Sequence, residues 1–167
     1  SEASHLTGTG PMAAVAGTIA QMAAENLPEI DEDIIVENGG DIFIRFSDLN
    51  KPVVAGIFSG LNSKFSSLAL KIQPSQNGMA ICSSSSRMGH SLSLGDCDLC
   101  TVVSENASLA DAAATLGGNL VKTESDLASA AEKIYSISGI DGVLLIKNEQ
   151  IAIAGKIPEL IRHRDNN

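Results

Sequence analysis

The stretch "DIIVENGGDIFIRF", residues 33–46, constrains the architecture most. Two apolar, β-branched runs flank Asn38-Gly39-Gly40-Asp41, and such runs around an Asn-Gly step read as two strands joined by a tight turn. A hairpin commits the chain to antiparallel pairing with an apolar face that needs cover. The runs "PVVAGIFS", "SSLALKIQ", "GMAICS" and "DLCTVVS" predict further strands. "SLADAAATLGGNLV" predicts a helix that ends at Gly117-Gly118, and "TESDLASAAEKIYSIS" another with Leu127, Ala130, Ala131 and Ile134 on one face. "DGVLLIKNEQIAIAG" closes the series as a second hairpin. Ahead of them all, "TGTGPMAAVAGTIAQMAAEN" predicts a helix entered at Pro11, whose fixed φ suits the first helical position. The order is helix, strands, two helices, hairpin. It predicts an α+β fold, a mostly antiparallel sheet with helices packed on one face. With 167 residues, the expectation is a single domain over 1–167.

Composition narrows what such a fold can do. Aromatic residues are only 3% and Trp is absent, so Ala, Ile, Leu and Val must fill the core. Small and branched side chains suit close helix-on-sheet contact. The net charge of −9, from 11 basic and 20 acidic residues, would repel a phosphate backbone, and no Lys/Arg stripe offsets it. Nucleic acid is therefore not an expected partner. A phosphorylated small molecule remains compatible if a divalent cation screens it. No apolar run reaches the ~18 residues of a membrane span, so no membrane partner is expected. The odd count of three cysteines, Cys82, Cys97 and Cys100, suits a reducing cytoplasm. The chain opens "SEASHL" without an initiator Met, and the expectation is that an N-terminal portion of a longer protein precedes it.

Four places are candidates for chemistry. Gly39 and Gly40 suit a tight turn, and equally a backbone that a ligand must approach closely, with the Asp41 carboxylate beside it. Asp111 and Thr115 are four apart and share a helix face. Their hard oxygens suit Mg²⁺, which takes few protein ligands and completes its shell with water and phosphate. Ser108 and Asp111 also have the spacing of a capping box, with Asp in place of Glu. The spacing of "CDLC" fits a metal or redox motif, but residues three apart on a strand diverge, so buried thiols are the simpler account. Finally, Ser83, Ser84, Ser85 and Ser86 run towards Gly89 and His90. Serine hydroxyls and an imidazole can line an anion pocket, and a histidine can serve as a general base near neutral pH. A solvated connector is the bland alternative. No nucleophile-elbow, P-loop or Rossmann fingerprint is present.

Taken in order, "AGTIA", "VENGGDI", the serine stretch with its histidine, and "TVVSENASLADAAAT" resemble the ApbE family of FAD:protein FMN transferases. The whole, including "GPMAAVAG" and "GHSLSLG", is most similar to an uncharacterised ApbE-like protein family. The resemblance runs over most of residues 8–120. It implies an ApbE-like, T-fold-like α+β domain with FAD in a cleft and Mg²⁺ bridging its pyrophosphate. FMN would pass to a Ser or Thr hydroxyl of a target protein, with AMP leaving. It maps flavin contact onto Gly39, Gly40, Asp41 and the serine loop with His90, and the metal onto Asp111 and Thr115. The metal would neutralise charge developing at phosphorus, and the remaining work is positioning. Two departures stand out. The transferases have a Lys in the first helix where this chain has "AGTIAQMA", and their "H-x-x-D-P-x-T-G" segment is here "HSLSLGDCD".

Three accounts follow. One is an enzyme, a Mg²⁺-dependent flavin binding or transfer protein, with His90 as its catalytic candidate. The second is a non-catalytic module, a homo-oligomer or a complex subunit, that holds another phosphorylated small molecule. The third is a scaffold in which Asp111 caps a helix and the glycines only turn the chain. Mg²⁺-dependent stabilisation separates the third from the others.

Overall fold

The computed structural model describes residues 2–59, 64–86 and 95–162. It opens with a short helix absent from the sequence reading, α1 (Glu2–Thr7). The predicted entry at Pro11 is a 3-10 turn, Pro11–Ala14, that leads into α2 (Val15–Asn26). Strands β1 (Ile34–Asn38) and β2 (Asp41–Arg45) form the expected hairpin. Gly39 and Gly40 turn it with positive φ of 67° and 99°, conformations that favour glycine. Strands β3 (Val53–Gly56), β4 (Leu68–Ile72), β5 (Met79–Ser84) and β6 (Leu99–Ser104) follow. Next come α3 (Ala107–Leu120), α4 (Leu127–Tyr135), the hairpin β7 (Gly142–Lys147) and β8 (Gln150–Gly155), and last β9 (Glu159–Arg162).

Six strands, in the order β1-β2-β5-β6-β7-β8, form one antiparallel sheet. Period-two alternation sorts its side chains between two faces. Phe43, Ala80, Cys82, Cys100, Val102, Val143 and Leu145 pack with Ala20 and Ala24 of α2, Ala110, Ala113 and Ala114 of α3, and Ala131 and Ile134 of α4. Ile44, Ile81, Leu99, Val103, Leu144 and Ile146 face the other way, against Ile57, Leu70 and Ile72. The helices thus gather on one face, as the pattern predicts. Covering the opposite face is a second antiparallel sheet, β3-β4-β9, which the pattern did not separate. β5, β6 and β7 are sandwiched, and β6 and β7 are buried at every position.

One boundary differs from the sequence reading for a packing reason. α3 does not stop at Gly117-Gly118 but runs through to Leu120. A Cβ at Gly117 would lie 2.3 Å from Cys100 Sγ and 2.7 Å from Ile134 Cδ1. Bare backbone there lets α3 settle onto β6 and α4, so this glycine serves contact and not termination. Cys82, Cys97 and Cys100 are buried free thiols, as the bland reading of "CDLC" anticipated.

Candidate functional site

Beside the β1–β2 turn, between the two sheets, lies a cavity of about 340 Å³. The sequence explains its two characters. β5 is apolar through Ile81 and Cys82 and then changes to serine, so Ser83, Ser84 and Ser85 form a polar margin beside Gly39 and Gly40. The inner wall is apolar, built from Ile42, Ile81 and Leu99 of the larger sheet and Ile57, Phe58 and Leu70 opposite. Thr101 is the polar exception in that wall, and its hydroxyl lies 2.9 Å from that of Ser83. Glu37 also lines the cavity, and its carboxylate accepts the Gly40 N–H at 2.7 Å. No Lys or Arg is among the described lining residues.

On the other face of the same strand ends, two carboxylates are buried in the helix layer. Asp41 begins β2, and the alternation that sends Ile42 towards the cavity turns Asp41 away from it. Only 5% of it is exposed, and its Oδ1 accepts the Ser83 N–H at 3.2 Å. Asp111, on α3, is 8% exposed, and its Oδ2 accepts the Gly17 N–H at 2.9 Å. A Cβ at Gly17 would come 2.5 Å from the Ala107 carbonyl oxygen, so glycine is what allows α2 this close to α3. Burial, and then the charge of Asp111, push the Asp41 carboxyl up to about 7. Burial likewise pushes Asp111 up to about 6, against the pull of the Gly17 and Ala16 amides. The neighbouring Cys82 thiol, pushed well up by burial and by both acids, donates to the Ala107 carbonyl at 3.6 Å.

The Asp41 and Asp111 pair is therefore costly to ionise, and the charges acting on Asp41, from Asp111 and Glu37, are both negative. Hard oxygens that meet no positive charge among the described residues suit a divalent cation. Among the described residues no three His, Cys, Asp or Glu side chains form a metal cage. Mg²⁺ asks for less, one or two carboxylates with water or phosphate completing the shell, so the residues present fit it. Thr115 is half-buried one turn beyond Asp111 on the same helix.

The structure thus brings Gly39, Gly40, Ser84 and Ser85 to one cavity and pairs Asp41 with Asp111 behind it. Ser86 is not part of the lining. Its N–H donates to the Cys97 carbonyl and its Oγ accepts the Cys97 N–H, which closes the base of the serine loop. His90 lies outside the described residues. The predicted capping box is also replaced: Asn106 caps α3, accepting the Leu109 N–H at 3.0 Å, while Ser108 bonds Thr18 across to α2. Thr101 escaped the sequence reading, because a threonine within a strand is ordinary on β-propensity grounds. The one available signal was a hydroxyl in an otherwise apolar run.

A family model described as "AbpE bacteria" matches residues 1–149. The UPF0280 protein of Methanococcus maripaludis strain C6 is 42% identical over 166 residues, covering 96% of this chain and 66% of that protein. That of Archaeoglobus fulgidus is 40% identical over 163 residues, covering 95% and 66%. The chain therefore spans 66% of the length of these curated relatives. Among solved structures, the apo crystal structure of the Pseudomonas stutzeri flavinyl transferase ApbE is similar, with a TM-score of 0.55. That match covers 86% of this chain and 46% of the other at 15% identity, a likeness of fold alone.

Proposed function

The chain belongs to the AbpE bacteria family, and from that premise we propose that it is a Mg²⁺-dependent flavin nucleotide-binding protein with its ligand site between the two sheets. The observation that carries this reading is the two-sided construction at the ends of β2 and β5. One side is an apolar cavity with a Gly/Ser margin; the other holds two buried acids that repel each other. A flat apolar ring system fits the inner wall, and phosphate oxygens suit the N–H and O–H donors of the margin. An anion entering a chain of net charge −9 needs a counter-charge. Asp41, Asp111 and Thr115 would hold Mg²⁺, which supplies that charge and, in a transferase, would stabilise charge developing at phosphorus. The chain's own part is to exclude water with Ile42, Ile81, Leu99 and Leu70 and to fix the strand ends through the bond from Ser83 N–H to Asp41.

Transfer of FMN to a target protein is the further step that the fold-level likeness suggests. A second reading, a module that binds a phosphorylated ligand without transferring it, draws on the absence of a first-helix Lys and of the "D-P-x-T-G" segment. One experiment separates them: FAD and FMN are titrated with and without Mg²⁺, following flavin fluorescence, and AMP release is assayed in the same samples. Mg²⁺-dependent binding with AMP release supports transfer. Binding without release supports the module. No flavin binding in either condition refutes the proposed ligand.

A further inference from the structure

Thr101 sits in the middle of β6, between Cys100 and Val102, and is 2% exposed. It is in direct register with Ser83 of β5. Both side chains point to the cavity face, and their hydroxyl oxygens are 2.9 Å apart. Each hydroxyl carries one proton and two acceptor lone pairs. The bond between them uses one proton and one lone pair, which leaves one O–H and three lone pairs. Neither hydroxyl makes another hydrogen bond among the described residues. On the same face, Ile81 precedes Ser83 by two residues and Leu99 precedes Thr101 by two, so the pair is flanked by apolar wall.

Hydroxyls left half-satisfied in an apolar wall cost stability unless something completes them. A threonine in a closed core would serve such a cross-strand hydroxyl pair alone. Here its one partner is a second hydroxyl that opens onto the same cavity.

We propose that the Ser83–Thr101 hydroxyl pair reads the edge of a flat heteroaromatic ring, donating one hydrogen bond to a ring carbonyl or nitrogen and accepting one from a ring N–H or amino group. The inference rests on the cavity being the ligand site. It specifies the ligand class: a heteroaromatic ring with adjacent donor and acceptor on one edge, in preference to an aromatic hydrocarbon of similar shape. The pair then sets which ring is accepted, while the Gly/Ser margin handles the phosphate.

The test measures the affinities of FMN, AMP and 1-naphthyl phosphate by titration calorimetry in Mg²⁺. The last is flat and phosphorylated but has no heteroatom in its ring. Wild type is compared with Thr101→Val, Ser83→Ala and Thr101→Ser. The expected result is three- to tenfold weaker FMN binding in the first two, recovery in Thr101→Ser, and no change for naphthyl phosphate. That loss is the size of one neutral hydrogen bond. A urea melt of each variant checks folding, and if Thr101→Val unfolds, the half-buried Ser83→Ala carries the comparison. Undiminished FMN binding in both variants overturns the assignment and leaves the flavin reading standing. AMP binding without FMN binding, with the same losses, overturns the flavin reading and leaves the assignment. If wild type binds neither nucleotide, both fall.

Discussion

Replacing Asp41 with asparagine should make the protein more stable at alkaline pH. Asparagine keeps the shape and a carbonyl oxygen to accept the Ser83 N–H, which Asp41 accepts at 3.2 Å. What it removes is the charge. Burial and the neighbouring Asp111 raise the Asp41 carboxyl from 3.8 to about 7, a rise worth about 4 kcal/mol at roughly 1.4 kcal/mol per pH unit. A carboxyl raised in the folded state leaves the protein most stable below the unfolded value. Stability is then lost as pH climbs to the folded value. At pH 8 in EDTA, the variant should therefore exceed wild type by about 4 kcal/mol, on the order of 10 °C in Tm for a chain of this length. At pH 5 the gap should shrink to about 2 kcal/mol, because the folded carboxyl is then neutral and the unfolded one, though ionised, is only about one pH unit above its own value.

Urea unfolding at pH 8, 6.5 and 5 measures the gap directly, since a neutral substitution should move the midpoint and not the slope. A gap that does not change with pH would refute the reasoning, and so would a wild type more stable than the variant at pH 8. Adding Mg²⁺ at pH 8 should reverse much of the difference, because a cation held between Asp41 and Asp111 stabilises only the ionised pair.

Two further substitutions test the architecture. Gly117→Ala should cost about 1–3 kcal/mol by urea unfolding, since its Cβ would lie 2.3 Å from Cys100 Sγ; a stabilised variant would mean that helix propensity outweighs contact there. Asn106→Ala should cost about 1 kcal/mol through loss of the cap on Leu109 N–H, seen as a lower thermal midpoint with unchanged ligand affinity.

The larger sheet was legible because its strands carry their own signals. Asn-Gly-Gly-Asp fixes one hairpin, and the register pairs Asn38 with Asp41 around it. The smaller sheet was legible only in part: β3 and β4 were read as strands, but β9 has four residues and lies far from its partner in sequence. Nothing local in "ELIR" announces that Leu70 pairs with Leu160. Gly117-Gly118 misled for a related reason, because a glycine demanded by Cys100 and Ile134 looks the same in sequence as one that ends a helix. Gly39, Gly40, Asp41, Ser84, Ser85, Ser86 and His90 were read as one site; Gly39, Gly40, Ser84 and Ser85 line the cavity, Ser86 bonds Cys97 instead, and His90 lies outside the described residues. Asp41 was grouped with them by adjacency, yet strand alternation puts its carboxylate on the opposite face. Adjacency in sequence says nothing about facing until the strand boundary is known to the residue.

That opposition of faces also makes the role of Asp111 decidable. As an anchor, Asp111 binds the Gly17 N–H at 2.9 Å and ties α2 to α3. An asparagine carbonyl would accept that bond too. The amide bonds pull the Asp111 carboxyl down, yet burial leaves it at about 6, so anchoring does not offset the cost of charge. A residue kept only as an anchor would gain stability by becoming neutral, and a charged group retained at a cost points to use elsewhere. Asp111→Asn should thus be stabilising at pH 8 in EDTA and should abolish the stabilisation by Mg²⁺. Because the two acids repel each other, neutralising either relieves the other. The double variant with Asp41→Asn should gain less than the sum of the single gains, a shortfall within the ~0.5–3 kcal/mol range of contacting pairs. Strict additivity would show that the carboxylates act apart. A Mg²⁺ response that survives in the double variant would place the cation away from both acids.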